Sequence, residues 1–301
     1  MAKELIKITN SFGDTLYGYG WTIKKPKANV IIITGMQETA ERYDNFATFL
    51  NQNGYDVFCI DHYGQGLNIK DMDVPGIWPE SGFSKSVKTF GDIEHMLLKT
   101  GLPVYIFAHS MGSFMAQEYV QRFHERVNKV VLCGTDYPNP LLMGFAYQLA
   151  RILVPNHKRN IPNKTLAGLV TGNFAKAVKD RKTDFDWLSY NKENVEKYIA
   201  DPKCGFIATG GFYRDFLKGM RRIGKAKFIH KIRPTVTIFV IAGKEDPVGH
   251  MGKGPTKLYK KYKRLGVDNV SLKLYDHMRH EILNENNNQI VYNDILEFFN
   301  K

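Results

Sequence analysis

Cysteine is scarce in this sequence, and the few cysteines lie far apart. Three occur among 301 residues, at Cys59, Cys133 and Cys204. An odd number without a CxxC pair predicts neither a disulfide framework nor a zinc-binding fold. The N-terminal residues MAKELIKITN also lack the apolar core of a signal peptide. We therefore expect an intracellular, cytoplasmic protein.

Long apolar runs are absent as well. The longest one, residues 141–154, is fourteen residues long and already contains Gln148 and Arg151. A helix needs about 20 predominantly apolar residues to cross a bilayer, so no membrane span is predicted.

Acidic residues are the minority among the charged ones. There are 30 Asp and Glu against 42 Lys and Arg, which leaves a net charge of +12. The basic cluster at 257–264 alternates with Leu258, Tyr259 and Tyr262 at helical spacing, which predicts the solvated face of a helix. No RNP, zinc-finger or basic-zipper pattern accompanies the charge, so nucleic acid is not an expected partner. A weak association with anionic membrane surfaces is the other use that the charge suggests.

Short β-rich runs alternate with longer helical patterns over most of the chain. Strands are predicted at 5–9, 16–24, 30–34, 55–60, 104–108, 127–133, 235–242 and 270–275. Helices are predicted at 42–53, 83–99, 111–123, 255–265 and 289–299. The expected fold class is α/β: a mostly parallel central sheet flanked by helices, with an inserted helical cap. The predicted domains are a core at 1–136 and 230–301 and a cap at 137–229.

The sequence VYIFAHSMG, residues 104–112, joins a predicted strand directly to a predicted helix. It fits the nucleophile-elbow pattern G-x-S-x-G, with Ala108 in place of the first glycine. In such a turn the neighbours of the serine must be small. The serine takes a strained conformation that exposes its hydroxyl at the start of the helix. Ser110 is therefore the predicted nucleophile.

A serine hydroxyl needs a base to remove its proton and an acid to orient that base. Two loops that follow predicted strands supply candidates, Asp246 in one and His280 in the other. Because the carboxyl ends of parallel strands share one edge of a sheet, both loops are expected beside Ser110. Three alternatives in such loops stay open: His277 as base, and Glu245 or Asp136 as acid.

Acyl transfer also needs N–H donors for the oxyanion that develops on the carbonyl oxygen. The expected donors are the amide of Met111, which follows the nucleophile, and one from the loop 34–38, taken as Met36. Gly35 would let that loop approach the substrate closely. No cluster of histidine, cysteine or acidic residues has metal-ligand spacing, so neither a metal nor a cofactor is predicted.

Four stretches of the sequence resemble one known family. They are ITGMQETAERYDNFATFLNQNGYDVFCIDHYGQGLN, FAHSMGS, GKEDPVG and MRHEILNE. In this order they are similar to the lysophospholipase and monoacylglycerol-lipase-like serine hydrolases of the α/β-hydrolase fold. The resemblance covers nearly all of the predicted core. It implies Ser110 as nucleophile, Asp246 as orienting acid, His280 as base, and Met36 and Met111 as oxyanion donors.

The chain departs from the family pattern at several positions. Thr34 stands where the family usually has histidine, and Ala108 where it has glycine. Tyr63 and Gln65 stand where it often has arginine and histidine. None of these changes removes a predicted catalytic group, but Thr34 is expected to alter the oxyanion loop and hence the substrate preference. The likeness fades between residues 137 and 205.

The apolar run at the start of the predicted cap suggests the inner face of a cap helix. It is also expected to line an acyl channel above the nucleophile, because ligand pockets are mostly apolar. The predicted substrate contacts are Gly35, His109, Leu142, Phe145 and Phe212.

Together these features predict a serine carboxylic-ester hydrolase that works through an acyl-enzyme. The resemblance implies a small-molecule ester or lipid substrate: monoacylglycerols, lysophospholipids or short- to medium-chain esters. One alternative is a proline-releasing serine aminopeptidase, which would need acidic cap residues such as Asp184, Asp186 and Glu193 to hold the substrate amine. Another is a non-catalytic ligand-binding protein of the same fold, which would not need a complete triad.

Overall fold

A single sheet of eight strands runs through the computed structural model, which describes residues 2–123 and 127–301. Its spatial order is β1-β2-β4-β3-β5-β6-β7-β8. The β1–β2 and β2–β4 pairs are antiparallel and all other pairs are parallel, which confirms the predicted mostly parallel sheet. The strands are β1 Ala2–Thr9, β2 Thr15–Thr22, β3 Ala28–Ile33, β4 Tyr55–Ile60, β5 Val104–His109, β6 Lys129–Cys133, β7 Thr237–Gly243 and β8 Val270–Tyr275.

Ten α-helices accompany the sheet within the described residues. They are α1 Asp44–Gln52, α2 Gly82–Leu98, α3 Met111–Arg122, α4 Pro140–Leu153, α5 Lys164–Val170, α6 Lys192–Ala200, α7 Gly210–Ile223, α8 Ala226–Ile229, α9 Lys253–Arg264 and α10 Gln289–Asn300. Every strand and helix predicted from periodicity is present, with small differences at the ends. Each of these ten helices is too short or too polar to cross a membrane.

Strand β3 shows why the sheet needs a helical layer on each face. All six of its residues are buried. Ile31 and Ile33 belong to an apolar cluster that includes residues of α2 and α3, whereas Val30 and Ile32 belong to a second cluster with residues of α1 and α10. Successive side chains of a strand point to opposite faces, so a continuous β-branched run is buried on both.

Between β6 and β7 the chain leaves the sheet. This segment, residues 134–236, is called the insertion below, and it contains α4 to α8. Helix α7 packs against α2, α3 and α4, and its residues Phe212 and Phe216 are buried in the main apolar cluster. The insertion is therefore packed onto the helices that cover the sheet.

Helix α4 is apolar on its outer face. Leu141, Phe145 and Ile152 expose 86%, 72% and 78% of their surface, and their spacing places them on one side of the helix. The expectation that the apolar run at residues 141–149 forms the inner face of a cap helix is therefore wrong for Leu141 and Phe145. The helix packs inward through its other side instead, where Ala150 is buried and Met143, Ala146 and Tyr147 are partly buried.

Candidate active site

Ser110 lies at a sharp turn between β5 and α3. Its φ of 51° and ψ of −120° form a conformation that residues other than glycine rarely adopt. The Ser110 N–H donates to the carbonyl of Cys133 at the end of β6, at 2.9 Å. Gly112 lies so close to β3 that a Cβ there would be 2.2 Å from the carbonyl oxygen of Ile33. This is the strained turn that the sequence predicts, and its serine side chain is only half-buried.

His280 and Asp246 form a buried hydrogen-bonded pair. Nδ1 of His280 is 3.0 Å from Oδ2 of Asp246, and the two side chains expose only 2% and 0% of their surface. The second carboxylate oxygen of Asp246 accepts a hydrogen bond from the N–H of Val248 at 2.8 Å. Because a carboxylate can only accept, Nδ1 of His280 carries a hydrogen, and in the neutral imidazole the lone pair is then on Nε2.

The alternative acids and base have other partners. Glu245 accepts a hydrogen bond from the hydroxyl of Tyr190. Asp136 lies 3.3 Å from Nε2 of His250. His277 is 89% exposed, and its Nδ1 is 3.6 Å from Glu245. The structure thus pairs His280 with Asp246 rather than with either alternative.

Gly134 links the surroundings of Ser110 to those of His280. It follows Cys133, whose carbonyl accepts the Ser110 amide. A Cβ on Gly134 would lie 3.0 Å from Cε1 of His280 and 3.5 Å from Cδ2 of His109. The ring centroids of these two histidines are 4.7 Å apart. The imidazole of His280 therefore lies against the turn that carries the serine.

The loop after β3 approaches the same turn at Gly35. A Cβ on Gly35 would lie 3.1 Å from the Cβ of Ser110. Gln65 holds this loop on both sides of Met36: its Oε1 accepts from the N–H of Gln37 at 2.8 Å, and its Nε2 donates to the carbonyl of Gly35 at 3.1 Å. The amide of Met36, the predicted oxyanion donor, therefore belongs to a fixed loop next to the serine.

The second predicted donor, the amide of Met111, opens helix α3. The first N–H groups of a helix have no acceptor within the helix, and the helix dipole favours negative charge there. The loop after β3 and the start of α3 can therefore each offer an N–H group to an oxyanion beside Ser110.

His109, a predicted substrate contact, is buried between two hydrogen-bond acceptors. Its Nδ1 is 3.1 Å from Oε1 of Glu38, and its Nε2 is 3.4 Å from the carbonyl oxygen of His280. A carboxylate and a carbonyl cannot donate, so both ring nitrogens need a hydrogen and the imidazole is held as a cation. Burial opposes that charge, but the neighbouring carboxylate outweighs it and the pKa of His109 is raised. Burial also opposes the charge of Glu38 and by itself would raise the pKa of that carboxyl. The attraction to His109 is stronger and lowers the pKa of Glu38 to about 2.

Sequence reasoning missed two residues of the oxyanion loop and its surroundings, Glu38 and Gln65. Glu38 also accepts hydrogen bonds from the N–H of Gly35 and the hydroxyl of Tyr43, so it fixes the same loop as Gln65. The signal that could have found them is their position. Both follow strands whose carboxyl ends lie at the edge of the sheet where Ser110 lies.

The predicted substrate contacts do not all lie together. Gly35 and His109 are next to the turn that carries the serine. Leu142 and Phe145 are exposed on α4, and Phe212 is fully buried in α7. Gly35 and His109 are thus beside the nucleophile, and a substrate contact at Leu142, Phe145 or Phe212 stays a prediction.

A small cavity of about 10 Å³ lies behind His109, lined in part by Glu38, Arg42 and Glu281. It has room for about one water molecule and is too small for an acyl chain. Within residues 2–123 and 127–301, no group of three or more His, Cys, Asp or Glu side chains is placed to hold a metal ion.

The known proteins that this chain matches include several hydrolases. The family model Hydrolase_4, described as "Serine aminopeptidase, S33", matches residues 24–287. The chain is 24% identical to the monoacylglycerol lipase of Mycolicibacterium smegmatis over 90% of this chain and 87% of that one. It is 24% identical to the monoglyceride lipase of Homo sapiens, over 96% and 88%. A thermostable carboxyl esterase from Bacillus coagulans superposes with a TM-score of 0.87 at 27% identity, covering 100% of this chain and 98% of that one.

The sheet order, the flanking helices and these similarities define an α/β-hydrolase. The chain belongs to the Hydrolase_4 family of serine hydrolases, and its resemblance to monoacylglycerol lipases and lysophospholipases is confirmed. Its relatives and structural neighbours include esterases and lipases, and the chain is accordingly a serine ester hydrolase.

Proposed function

We propose that the chain hydrolyses carboxylic esters through an acyl-enzyme formed on Ser110. The observation that carries the proposal is the buried hydrogen bond between Asp246 and His280 beside the strained serine turn. Nε2 of His280 takes the hydroxyl proton as Ser110 attacks the ester carbonyl, and the imidazolium then protonates the leaving alcohol. The amides of Met36 and Met111 stabilise the oxyanion. His280 finally activates the water that releases the acid.

The substrates that we propose are monoacylglycerols, lysophospholipids and short- to medium-chain esters. Two similar proteins are named for monoacylglycerol or monoglyceride hydrolysis. The similar carboxyl esterase was solved in complex with glycerol, which is the alcohol that a monoacylglycerol would release. These similarities support a glycerol ester over an amide as substrate.

The positions of the candidate acids speak against a proline-releasing aminopeptidase. Asp186 accepts a hydrogen bond from the hydroxyl of Thr183. Glu193 is exposed and pairs with Lys197 on the next turn of α6, and Asp184 is exposed. These carboxylates face solvent or their own neighbours, so they would not hold a substrate amine beside the nucleophile.

The test compares p-nitrophenyl esters, from acetyl to palmitoyl, with proline p-nitroanilide. We expect turnover of the esters and labelling by a fluorophosphonate probe, and loss of both in Ser110→Ala. Faster turnover of the proline amide than of any ester would establish the aminopeptidase instead. Ester binding with neither turnover nor labelling would establish a non-catalytic binding protein.

A weak association with anionic membrane surfaces is also proposed, at α4. A Cβ on Gly144 would lie 3.7 Å from Nε of Arg221, and Lys257 and Lys261 lie 5.4 and 5.9 Å from the ring of Tyr137. Cations therefore border the start of the helix. Apolar side chains rimmed by cations suit the interface of an anionic bilayer. Leu141, Leu142 and Phe145 are the exposed apolar residues in the first two turns of this helix.

The cysteines support our proposal of a cytoplasmic location. Cys59, Cys133 and Cys204 are free and buried. Burial raises the pKa of all three thiols, so they are poor nucleophiles for disulfide exchange. Free thiols of this kind are typical of a reducing compartment.

A further inference from the structure

Glu281, the residue after His280, is bound to both the core and the insertion. Its buried Oε2 accepts a hydrogen bond from Nη2 of Arg42 at 2.6 Å and from Nδ2 of Asn194 at 2.6 Å. Nη2 of Arg42 also lies 2.9 Å from Oδ1 of Asn194. The Glu281 N–H donates to the carbonyl of Leu188 at 2.7 Å. Residues before α1, in α6 and after β8 thus meet at one carboxylate.

The partner of this carboxylate, Arg42, is enclosed. Its side chain is 12% exposed, and its guanidinium lies 4.7 Å from the ring centroid of Tyr198 in α6. Burial by itself would lower the pKa of Arg42. The carboxylate of Glu281 has the opposite effect and the net pKa is raised, so the guanidinium stays charged. A buried ion pair is a poor source of stability, because desolvation opposes the attraction between its charges. The Arg42–Glu281 pair is therefore of interest for the fixed positions of its two side chains rather than for stability.

The insertion contacts the His280 loop at further points. Glu285, in that loop, accepts hydrogen bonds from the hydroxyl of Ser189 and from the N–H of Arg279, both at 2.8 Å. The ring of Trp187 lies 5.2 Å from the ring of His280. One stretch of the insertion, residues 187–198, therefore borders the loop that carries the histidine.

We propose that Arg42 and Glu281 are positioning residues, which hold His280 where its Nε2 can accept the proton of Ser110. Helix α6 is the third point of attachment. This inference rests on the proposed function, in which His280 is the base. Loss of Arg42 leaves the carboxylate next to His280 without its cation, and loss of the Glu281 carboxylate also removes the hydrogen bond from Asn194 of α6. A displacement of about 1 Å at a reacting group can lower the rate about 100-fold.

The experiment uses Arg42→Gln, Glu281→Gln and the double variant. We expect either single substitution to lower kcat for p-nitrophenyl butyrate about 10- to 100-fold, with little change in KM. Each single variant leaves a buried charge without its partner, whereas the double variant leaves none. The double variant should therefore be no slower than the slower single one.

The matched control is Arg159→Gln, which breaks a second buried ion pair. Nη2 of Arg159 lies 3.1 Å from Oδ2 of Asp215, and both side chains are at most 10% exposed. This substitution should lower Tm as Arg42→Gln does, but leave kcat close to that of the wild type. Asn194→Ala removes one of the links to α6 and leaves the Arg42–Glu281 pair in place. It keeps the experiment decisive if Glu281→Gln does not fold, and a smaller fall in kcat is expected.

A second measurement does not depend on turnover. The hydrogen-bonded Nδ1 proton of His280 should give a downfield proton NMR signal in the wild type. That signal should shift or vanish in Glu281→Gln and persist in Arg159→Gln. Wild-type protein that shows the signal without ester turnover would refute the proposed function, and the NMR comparison would still judge the positioning role. Unchanged kcat and an unchanged signal in both Arg42→Gln and Glu281→Gln would overturn the inference. Equal losses of kcat in Arg159→Gln would overturn it too.

Discussion

Two imidazoles lie side by side at the nucleophile turn, and their hydrogen-bond partners differ. His280 donates Nδ1–H to Asp246. His109 faces an acceptor at each nitrogen, so it carries a second proton. The carboxylate of Glu38 balances that cation. The two ring centroids are 4.7 Å apart, yet each ring has its own carboxylate, so one imidazole is the proposed base and the other a fixed donor.

The role of Asp246 predicts a large effect of a small substitution. In Asp246→Asn the side chain keeps its size but loses the charge that orients His280, so kcat for esters should fall about 10⁴-fold. Steady-state kinetics with p-nitrophenyl butyrate measures this fall in kcat. Asp136→Asn is the matched control, since that acid pairs with His250, and it should keep most of the activity. Equal losses in both variants would mean that the orienting acid is wrongly assigned.

The pair formed by Glu38 and His109 predicts how stability depends on pH. The folded-state pKa of His109 is raised above its ordinary value of 6.5. The stabilisation by the pair is therefore complete between about pH 4.5 and pH 6.5. It is lost as pH rises through the raised pKa of His109 and as pH falls through the lowered pKa of Glu38. Urea unfolding of the wild type and Glu38→Gln should show a difference in the free energy of unfolding that shrinks as pH rises above neutrality. A difference that grows with pH would contradict the cationic state of His109.

For single residues, the sequence predicts some roles and gives no signal for others. Ser110 is readable because its neighbours must be small and because a strand and a helix flank it. Glu245 and Asp246 are adjacent, so only their side-chain directions in the structure distinguish them. Arg42 binds a partner 239 residues away in the chain, and a contact between two loops leaves no periodic pattern in the sequence.

At the scale of elements, the close contact of α3 with β3 predicts a stability effect. A Cβ on Gly112 would overlap the backbone of Ile33, so Gly112→Ala should force the elements apart and cost about 3 kcal/mol. Gly168 in α5 is the control. A Cβ there meets nothing within 4 Å, and Gly168→Ala should stabilise the protein by about 0.5–1 kcal/mol. Thermal unfolding distinguishes the two, and equal Tm values would contradict the packing described.

The positions of strands and helices were more predictable from the sequence than the contacts that these elements make. Strands and helices follow from periodicity, which depends only on neighbours in the chain. The outward face of α4 does not follow from it. An apolar stripe gives the same pattern whether protein covers it or it stays exposed, so Leu141 and Phe145 could not be assigned to the outside from sequence.

At the scale of the whole molecule, the sheet and the insertion contribute different parts of the site. The loops at one edge of the sheet carry Ser110, Asp246 and His280. The insertion contacts the last of these loops through α6 and presents the apolar face of α4 to the outside. The insertion thus carries both the segment that borders His280, the proposed base, and the proposed membrane-facing surface.

That arrangement predicts binding to lipid vesicles. The protein should co-sediment with anionic phosphatidylglycerol vesicles at low ionic strength, and salt should weaken the binding because it screens the cations around α4. Leu141→Ser with Phe145→Ser should reduce it strongly. Leu5→Ser is the control, since Leu5 is 63% exposed on the edge strand β1. Equal binding of both variants, or no binding of the wild type at low salt, would contradict a surface at α4.

Trapping the acyl-enzyme is the most direct test of the central claim. The protein is mixed with p-nitrophenyl butyrate, quenched in acid during turnover and digested for mass spectrometry. We expect a butyryl group on the peptide that contains Ser110, and neither adduct nor turnover in Ser110→Ala. Ester turnover that persists in Ser110→Ala, or an acyl group found only on another residue, would contradict the account.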